Sequence, residues 1–254
     1  MAITFVQYED IYYTTYNNTI ATAAMNTTTG NLLVVCSSAG GVWISSISDT
    51  AGNTYVKAIL AYYNNVSINR NAEIWYAENI TGNANNITTV TLTGSNNRKG
   101  LSVAEYSGAP TSNSLKDVTF DILEGGTSFD DLPTSSAAAG DLLVVSVSTS
   151  GTLETFTLGN GFSTLKSDLT DVYPFAEYDI TAAGDVHGTF STADTAYVVQ
   201  VQALFGEAAV GTNMKINIDD TFKDVDSMQI NIGDAWKDVA EVKQNIGDAW
   251  KVVY

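Results

Sequence analysis

The sequence predicts an all-β protein, an antiparallel β-sandwich, and three observations lead to this fold class. Only 15% of the residues are charged, whereas Thr, Ser, Asn and Gly, which favour short strands and polar turns, are abundant. Short apolar runs recur between turn pairs such as Gly40–Gly41, Gly52–Asn53 and Gly82–Asn83. No segment has the apolar spacing of an amphipathic helix, so the strands must pair antiparallel. We therefore expect a sandwich of the jelly-roll or immunoglobulin-like type.

A long internal repeat indicates that this sandwich is built from two related halves. The segment TTTGNLLVVCSSAGG (27–41) resembles SAAAGDLLVVSVSTSG (136–151), and each places a glycine turn before a buried apolar strand. Two further pairs of segments match in the same order, 75–92 with 175–190 and 100–109 with 197–208. The prediction is a domain over residues 1–208, with halves at about 1–110 and 129–208. The polar connector allows one large sandwich or two small ones.

Residues 213–254 contain three copies of a 14-residue repeat with the frame N-I-[GD]-D-x-[FW]-K-x-V. Each copy predicts a β-hairpin with a tight acidic turn. A repeat this short cannot bury its own apolar residues, so it needs stacked copies or a partner chain. A two-residue loop would place Trp236 on the face opposite Ile230 and Ile232, and a three-residue loop would place all three on one face. The buried face of the repeats therefore stays open.

Charge and cysteine content exclude several classes of function. The net charge of −17 disfavours binding to nucleic acid or to anionic lipid, because both are held mainly through Lys and Arg. No apolar run approaches the length of a membrane span. The N-terminus MAITFVQYED lacks the features of a secretory signal, so we expect synthesis in the cytoplasm without a signal peptide. The only cysteine, Cys36, lies in an apolar run and is expected to be buried and unreactive.

No pattern of residues predicts a catalytic, cofactor or metal site. The only histidine, His187, lies in AAGDVHGTF without a nucleophile motif nearby, which favours an ordinary turn or edge residue over a catalytic base. Polysaccharide-cleaving enzymes use pairs of carboxylates. The candidates in this chain are interpreted instead as solvated strand residues; they are Glu73, Glu78, Glu105, Glu177 and Asp179. The acidic cluster around Asp219 and Asp224 lacks the spacing of an EF-hand. We therefore expect a protein that is not an enzyme and that has no cofactor.

Aromatic side chains are the candidates for contact with a partner or a glycan. Phe222, Trp236 and Trp250 occupy one position of three successive repeats, which favours an internal stack, with an exposed binding ladder as the second interpretation. Tyr12 and Tyr13 belong to a tyrosine-rich N-terminal stretch. Such rings stack on sugars or anchor protein partners, and the competing interpretation is packing against a sheet or a neighbouring subunit. Tyrosines of the same kind are Tyr8, Tyr16, Tyr62 and Tyr63.

Both kinds of repeat resemble segments of bacteriophage structural proteins. The series G-[ND]-LLVV, ISDTAGNTY, EIWYAENITG, VAEYSGA, AGDLLVVSVS and GNGFSTL is similar to β-sandwich modules of phage virion proteins and bacterial surface proteins. The GDAWK repeats resemble C-terminal repeats of phage minor structural, tail and fibre proteins. The resemblance implies a virion protein of the fibre, tail or head-decoration type that acts in particle assembly, host attachment or both.

The same resemblance sets expectations for location and partners. It implies that the protein resides in the virion, contacts other virion proteins and binds further copies of itself, with a trimer as one arrangement. A host-surface glycan or receptor is a further expected partner. The alternative hypothesis is a glycan-binding module of a bacterial surface protein. No catalytic residue is implied by the resemblance.

Overall fold

The all-β prediction is confirmed, because the part of the chain that is described contains strands and turns and no helix. All the strand pairs found there are antiparallel, as in the pairing of two fully buried segments (32–39 with 99–106). The computed structural model describes residues 2–13, 15–64, 69–96, 99–130, 135–150, 156–159, 161–165, 175–180, 182–192, 197–206, 214–218, 221–225, 229–232, 235–238, 243–246 and 249–252. The chain divides into two compact units, Met1–Ala208 and Ala209–Tyr254.

The first half of unit 1 forms two sheets and a short strand pair. Its strands are β1 (Thr4–Tyr13), β2 (Asn17–Ala21), β3 (Met25–Thr27), β4 (Leu32–Ala39), β5 (Ile44–Asp49), β6 (Val56–Asn64), β7 (Asn69–Ala77), β8 (Asn83–Asn86), β9 (Thr88–Asn96) and β10 (Lys99–Ser107). The order is β1-β10-β4-β7-β6 in a five-stranded sheet and β2-β9-β5 in a three-stranded sheet, and β3 pairs with β8. The apolar strand β4 therefore lies at the centre of the larger sheet.

The second half repeats this topology. Its strands are β11 (Leu115–Glu124), β12 (Ser128–Phe129), β13 (Ser135–Ala137), β14 (Leu142–Ser150), β15 (Phe156–Leu158), β16 (Ser163–Thr164), β17 (Phe175–Ile180), β18 (Gly184–Val186), β19 (Phe190–Thr192) and β20 (Tyr197–Phe205). The sheets have the orders β11-β20-β14-β17-β16 and β12-β19-β15, and β13 pairs with β18. Each strand of the second half therefore takes the same place in its sheet as the strand numbered ten lower in the first half, so the duplication in the sequence is also a duplication of topology.

Three hydrophobic cores arrange these sheets in four layers. One core lies between the two five-stranded sheets and draws on both halves, for example Val34 and Ile74 with Val144 and Val201. The other two cores each lie within one half, between its five-stranded and its three-stranded sheet. The sequence left open one large sandwich or two small ones, and the structure combines the two arrangements. Each half is a small sandwich, and the two five-stranded sheets pack face to face.

Central strand β4 shows why the sequence runs LLVVCSS without polar alternation. Successive side chains of a strand point to opposite faces. Leu32 and Val34 enter the core between the halves, while Leu33 and Val35 enter the core of the first half. All eight residues of β4 are buried. Cys36 is buried with them, as expected, and burial raises the pKa of its thiol to about 12.

Unit 2 consists of three hairpins, one for each repeat. The paired strands are β21 (Met214–Ile218) with β22 (Thr221–Val225), β23 (Gln229–Ile232) with β24 (Ala235–Asp238), and β25 (Lys243–Ile246) with β26 (Ala249–Val252). Ile232 pairs with Ala235, so two residues connect the strands, and Trp236 pairs with Asn231. Of the two loop lengths that the sequence left open, the backbone pairing therefore corresponds to the two-residue loop.

Candidate recognition site

One transverse row of the first five-stranded sheet gathers aromatic residues that are far apart in the sequence. The row runs through Tyr13, Lys99, Ala39, Asn71 and Tyr62, each paired with the next. With adjacent strands about 4.8 Å apart, the backbones of the two tyrosines lie roughly 19 Å apart at opposite edges of the sheet. We call this end of unit 1, where β1, β4 and β6 finish and β7 and β10 begin, the aromatic end.

An exposed pair of rings, Trp43 and Tyr62, lies at the aromatic end. The ring centroids are 5.8 Å apart and the planes meet edge to face at 73°, a favoured arrangement for aromatic pairs. Trp43 is 37% exposed and Tyr62 is 38% exposed. The backbone of Trp43 is held by Thr93, whose N–H donates to the Trp43 carbonyl at 2.8 Å and whose Oγ1 accepts from the Trp43 N–H at 3.2 Å. The pair therefore presents apolar surface in a fixed geometry.

Beneath this pair, the buried carboxylate of Glu73 fixes the segment that carries Trp43. Glu73 Oε1 accepts from the Ile44 N–H at 2.7 Å and from Asn71 Nδ2 at 3.2 Å, and Oε2 accepts from Trp75 Nε1 at 3.1 Å. Lys57 Nζ lies 3.8 Å from the same Oε2. Burial raises the pKa of Glu73, and these hydrogen bonds and the lysine charge partly oppose the rise. The carboxylate thus serves as an acceptor inside the sheet.

A second pair of rings joins the two halves at the same end. Tyr63 and Tyr197 stack with centroids 6.3 Å apart and an interplanar angle of 16°. The Tyr63 hydroxyl also donates to Glu124 Oε1 at 2.8 Å. Nearby, Arg70 Nε of the first half donates to the Thr149 carbonyl of the second half at 2.8 Å. Both halves therefore contribute to the aromatic end.

Among the aromatic side chains described at this end, that of Tyr16 is the most exposed, at 74%. The residues on either side of it are anchored by the buried side chain of Lys99. Lys99 Nζ donates to the carbonyls of Thr15 at 2.8 Å and Asn17 at 2.9 Å, and also to that of Asn96. Burial lowers the pKa of Lys99, and the carbonyl oxygens replace the water that its ammonium group has lost.

The structure places only part of the predicted aromatic set at this end. Tyr12 lies half-buried in β1, opposite Gly100, and Tyr13 follows it in the pairing register. Tyr8 instead packs against the core between the two halves. In unit 2 the backbones of Phe222, Trp236 and Trp250 pair with Asn217, Asn231 and Asn245. The side chains of Tyr13 and of these three repeat residues lie outside the described part of the chain.

Sequence analysis did not single out Trp43 or Tyr197. A usable signal exists for Trp43, because it lies two residues after the Gly40–Gly41 turn pair, and residues in turns and loops tend to lie at the surface. Tyr197 begins β20 and carries no local signal, since its importance comes from the ring of Tyr63 in the other half.

The interpretation of the carboxylates as solvated strand residues is wrong for Glu73 and Glu105, which are both fully buried. Glu105 Oε1 accepts from the Thr28 N–H and from Asn31 Nδ2, each at 2.7 Å, and Oε2 accepts from Gln7 Nε2 at 2.6 Å. Burying a carboxylate is costly unless hydrogen bonds compensate it, and here they do. Glu78 accepts from the N–H and the hydroxyl of Ser114. The side chains of Glu177 and Asp179 lie outside the described residues.

His187 lies between β18 and β19, and its Nε2 is 2.7 Å from Asp130 Oδ1. Asp130 was not recognised as its partner from the sequence, since 56 residues separate the two in the chain. Within the described ranges, no group of three or more His, Cys, Asp or Glu side chains is placed to hold a metal ion. The described residues also include no helix long and apolar enough to cross a membrane.

Comparisons of the chain with known protein families, with curated proteins and with solved structures gave no match.

Proposed function

We propose that this protein is a non-enzymatic structural component of a bacteriophage virion, of the fibre, tail or head-decoration type. Its aromatic end would contact a host-surface glycan or a neighbouring virion protein, and its C-terminal hairpins would attach it within the particle. The resemblance of both repeats to phage structural proteins supports the virion assignment. The single observation that carries the recognition role is the exposed, fixed pair Trp43 and Tyr62.

The geometry of the aromatic end favours binding over catalysis. Exposed aromatic rings held by the backbone lose little freedom on binding and supply large contact areas, which is typical of recognition hot spots. Glu73, whose carboxylate holds the segment next to Trp43, is fully buried and hydrogen-bonded by three protein groups. A carboxylate in that state supports the position of Trp43 and is withdrawn from solvent and from any bound sugar.

The alternative function, a glycan-binding module on a bacterial surface, draws on the same aromatic surface and differs in location. The two are separated by mass spectrometry of phage particles purified from lysates of the strain that carries the gene, together with antibody labelling of intact cells. The virion proposal expects the chain in the particles at a constant ratio to the major capsid protein. Label confined to the cell surface, with none in purified particles, would establish the alternative.

The recognition role is tested separately with the full chain and two variants. A Trp43→Ala, Tyr62→Ala double variant removes the exposed ring pair, and Phe120→Ala is the matched control, because Phe120 is 54% exposed in the middle of β11. Binding to host cells or to purified virion proteins should weaken about tenfold or more in the double variant. The control should bind like the wild type. Equal binding by all three proteins would refute a role for the aromatic end.

A further inference from the structure

A small pocket lies on the second half of unit 1, on the three-stranded sheet β12-β19-β15. Phe129 pairs with Phe190, and these two rings stack inward with centroids 4.7 Å apart. Because side chains alternate along a strand, Ser128 and Ser191, which adjoin the two phenylalanines in sequence, take the outward face. The pocket has a volume of about 250 Å³, and the polar side chains in its lining are those of Ser128, Asp130, Thr189 and Ser191.

An ion-pair-like contact fixes the carboxylate at the rim of this pocket. Asp130 Oδ1 lies 2.7 Å from His187 Nε2, and the side chain of Asp130 remains 67% exposed. The imidazole therefore orients the carboxylate without covering it. Thr189 lies two residues after His187 in the chain and lines the same pocket as Asp130, so the pocket has a carboxylate held by an imidazole and a hydroxyl close to it in the sequence.

The first half of unit 1 supplies an internal comparison. By strand pairing, Phe129 opposite Phe190 corresponds to Ile20 opposite Val90. The positions that correspond to Asp130, His187 and Thr189 are then Ala21, Ile87 and Thr89. The same topology is thus built with an alanine and an isoleucine where the second half has Asp130 and His187. The fold does not require the pair, which indicates that it serves a purpose specific to the second half.

The lining of the pocket defines the class of ligand. Among the described residues, its lining offers one carboxylate and three hydroxyls and no lysine or arginine, so it disfavours anions and favours a neutral ligand with several hydroxyl groups. A carboxylate accepts from two neighbouring hydroxyls, and Ser and Thr hydroxyls both donate and accept. Its volume of about 250 Å³ is below the roughly 300–1,000 Å³ of pockets for drug-sized ligands. This leaves room for a single sugar ring.

We propose that this pocket binds one neutral monosaccharide unit of a glycan, with Asp130 and Thr189 as its polar contacts and His187 as the residue that positions Asp130. The proposal goes beyond the recognition role of the aromatic end, because it concerns different residues and does not depend on where the protein is located. It also differs from a catalytic role for His187, since the imidazole acts through Asp130.

Saturation-transfer NMR with the full chain tests this site. The probes are the methyl glycosides of glucose, galactose, N-acetylglucosamine and rhamnose at about 10 mM, above the millimolar dissociation constant expected of one small ligand. At least one probe should give a transfer signal with the wild type. Asp130→Asn and Thr189→Val should each weaken its binding about tenfold, because each removes a hydrogen bond to the sugar. His187→Ala should weaken it less.

The duplication provides the matched control. Thr89→Val makes the same change at the corresponding position of the first half and should leave binding unaltered. Thermal unfolding of each variant verifies that it is folded, and Asp130 is exposed enough for its replacement to leave the fold intact. Absence of signal from all four probes would overturn the proposal. So would undiminished binding in Asp130→Asn and Thr189→Val, or equal loss in Thr89→Val.

Discussion

The rings of Tyr63 and Tyr197 stack across the junction between the two halves of unit 1, with their centroids 6.3 Å apart. Tyr63 is the penultimate residue of the edge strand β6 of the first half, and Tyr197 begins β20 of the second. The contact closes the junction at the aromatic end, where the hydroxyl of Tyr63 also reaches Glu124. Residues of the aromatic end therefore also hold the two halves together.

Replacing Tyr63 by alanine should destabilise unit 1 by about 2 kcal/mol, because it removes a half-buried ring, its stacking partner and one hydrogen bond. Tyr63→Phe should cost about 1 kcal/mol or less, since it removes only the hydrogen bond to Glu124. Tyr16→Ala is the control, because its ring is 74% exposed. Urea denaturation gives the free energies of unfolding. Equal losses in Tyr63→Ala and Tyr16→Ala would contradict a joining role for the stack.

Glu73→Ala should destabilise the protein by about 3 kcal/mol or more, since it leaves the Ile44 N–H and the Trp75 indole N–H without their buried acceptor. The loss should also displace Trp43, which directly precedes Ile44. Tryptophan fluorescence quenching by acrylamide reports that displacement. Val56→Ala, at an exposed position of the neighbouring strand β6, should change stability by less than about 0.5 kcal/mol and leave quenching unchanged.

The raised pKa of Glu73 has a consequence for the dependence of stability on pH. A carboxyl group with a raised pKa binds its proton more tightly in the folded than in the unfolded protein. Its contribution to stability therefore becomes less favourable as pH rises from the ordinary glutamate pKa, about 4.3, through the folded value. Compared with Glu73→Gln, the wild type should lose stability over this interval. Parallel pH profiles of the two proteins in urea titrations would count against the raised pKa.

Asp49 should show the opposite pH dependence. Burial alone would raise its pKa, but hydrogen bonds from Asn53, Asn86 and Tyr55 outweigh that effect and lower it. A lowered pKa stabilises the fold above the ordinary aspartate value of about 3.9, and this stability is lost as pH falls through the folded value. Asp49→Asn should therefore cost about 1–2 kcal/mol at neutral pH, a figure reduced for partial exposure.

The measurement for Asp49 is the difference in unfolding free energy between the wild type and Asp49→Asn as a function of pH. The difference should narrow below about pH 4. Tyr55→Phe, which removes one donor at 2.9 Å from the carboxylate, should show a smaller effect of the same sign. A gap that is constant with pH would mean that the hydrogen bonds do not favour the ionised form.

The two halves provide a matched pair of glycines. Gly30 and Gly140 precede the central strands and both have φ of 89°, a conformation that costs other residues about 1–2 kcal/mol. A Cβ at Gly30 would meet no atom within 4 Å, whereas a Cβ at Gly140 would lie 2.9 Å from the Cα of Ala2. Ala2 is held there because the Ile3 N–H donates to the Gly140 carbonyl at 2.9 Å.

Gly140→Ala should therefore destabilise the protein more than Gly30→Ala. The expected losses are about 1–2 kcal/mol for Gly30→Ala and about 3 kcal/mol for Gly140→Ala, whose methyl group must also displace backbone. Thermal unfolding of the two variants side by side compares them directly. Equal losses would show that the N-terminal segment is not held against Gly140.

Several features of the fold follow from local patterns in the sequence. The glycine before LLVV predicted a turn with positive φ, and Gly30 and Gly140 confirm it. Thr88, Val90 and Leu92 alternate with polar residues, which is typical of a strand with one buried face, and all three are buried while their neighbours are not. Such patterns are readable because turns and strand faces depend on residues close together in the chain.

The candidate sites were only partly predictable. The tyrosine-rich stretch near Tyr12 and the pair Tyr62 and Tyr63 could be picked out by composition, and the register of β1 and β6 brings them to one end. The contact between Asp130 and His187 could not be predicted, because it joins residues that are far apart in the sequence. The burial of Glu73 was missed for a similar reason: its donors belong partly to the start of another strand, β5.

The sequence by itself determined that the protein is all-β, that unit 1 contains a duplicated pattern and that unit 2 contains three hairpin repeats, since each depends on spacing along the chain. Only the tertiary structure decided that the two five-stranded sheets share a core, and that Trp43, Tyr62, Tyr63 and Tyr197 meet at one end. The physical reason is that strand pairing and sheet packing are non-local. Val34 and Val144 each lie in an apolar run that indicates only a buried strand. The structure shows that both are buried in the same core, which joins the two halves.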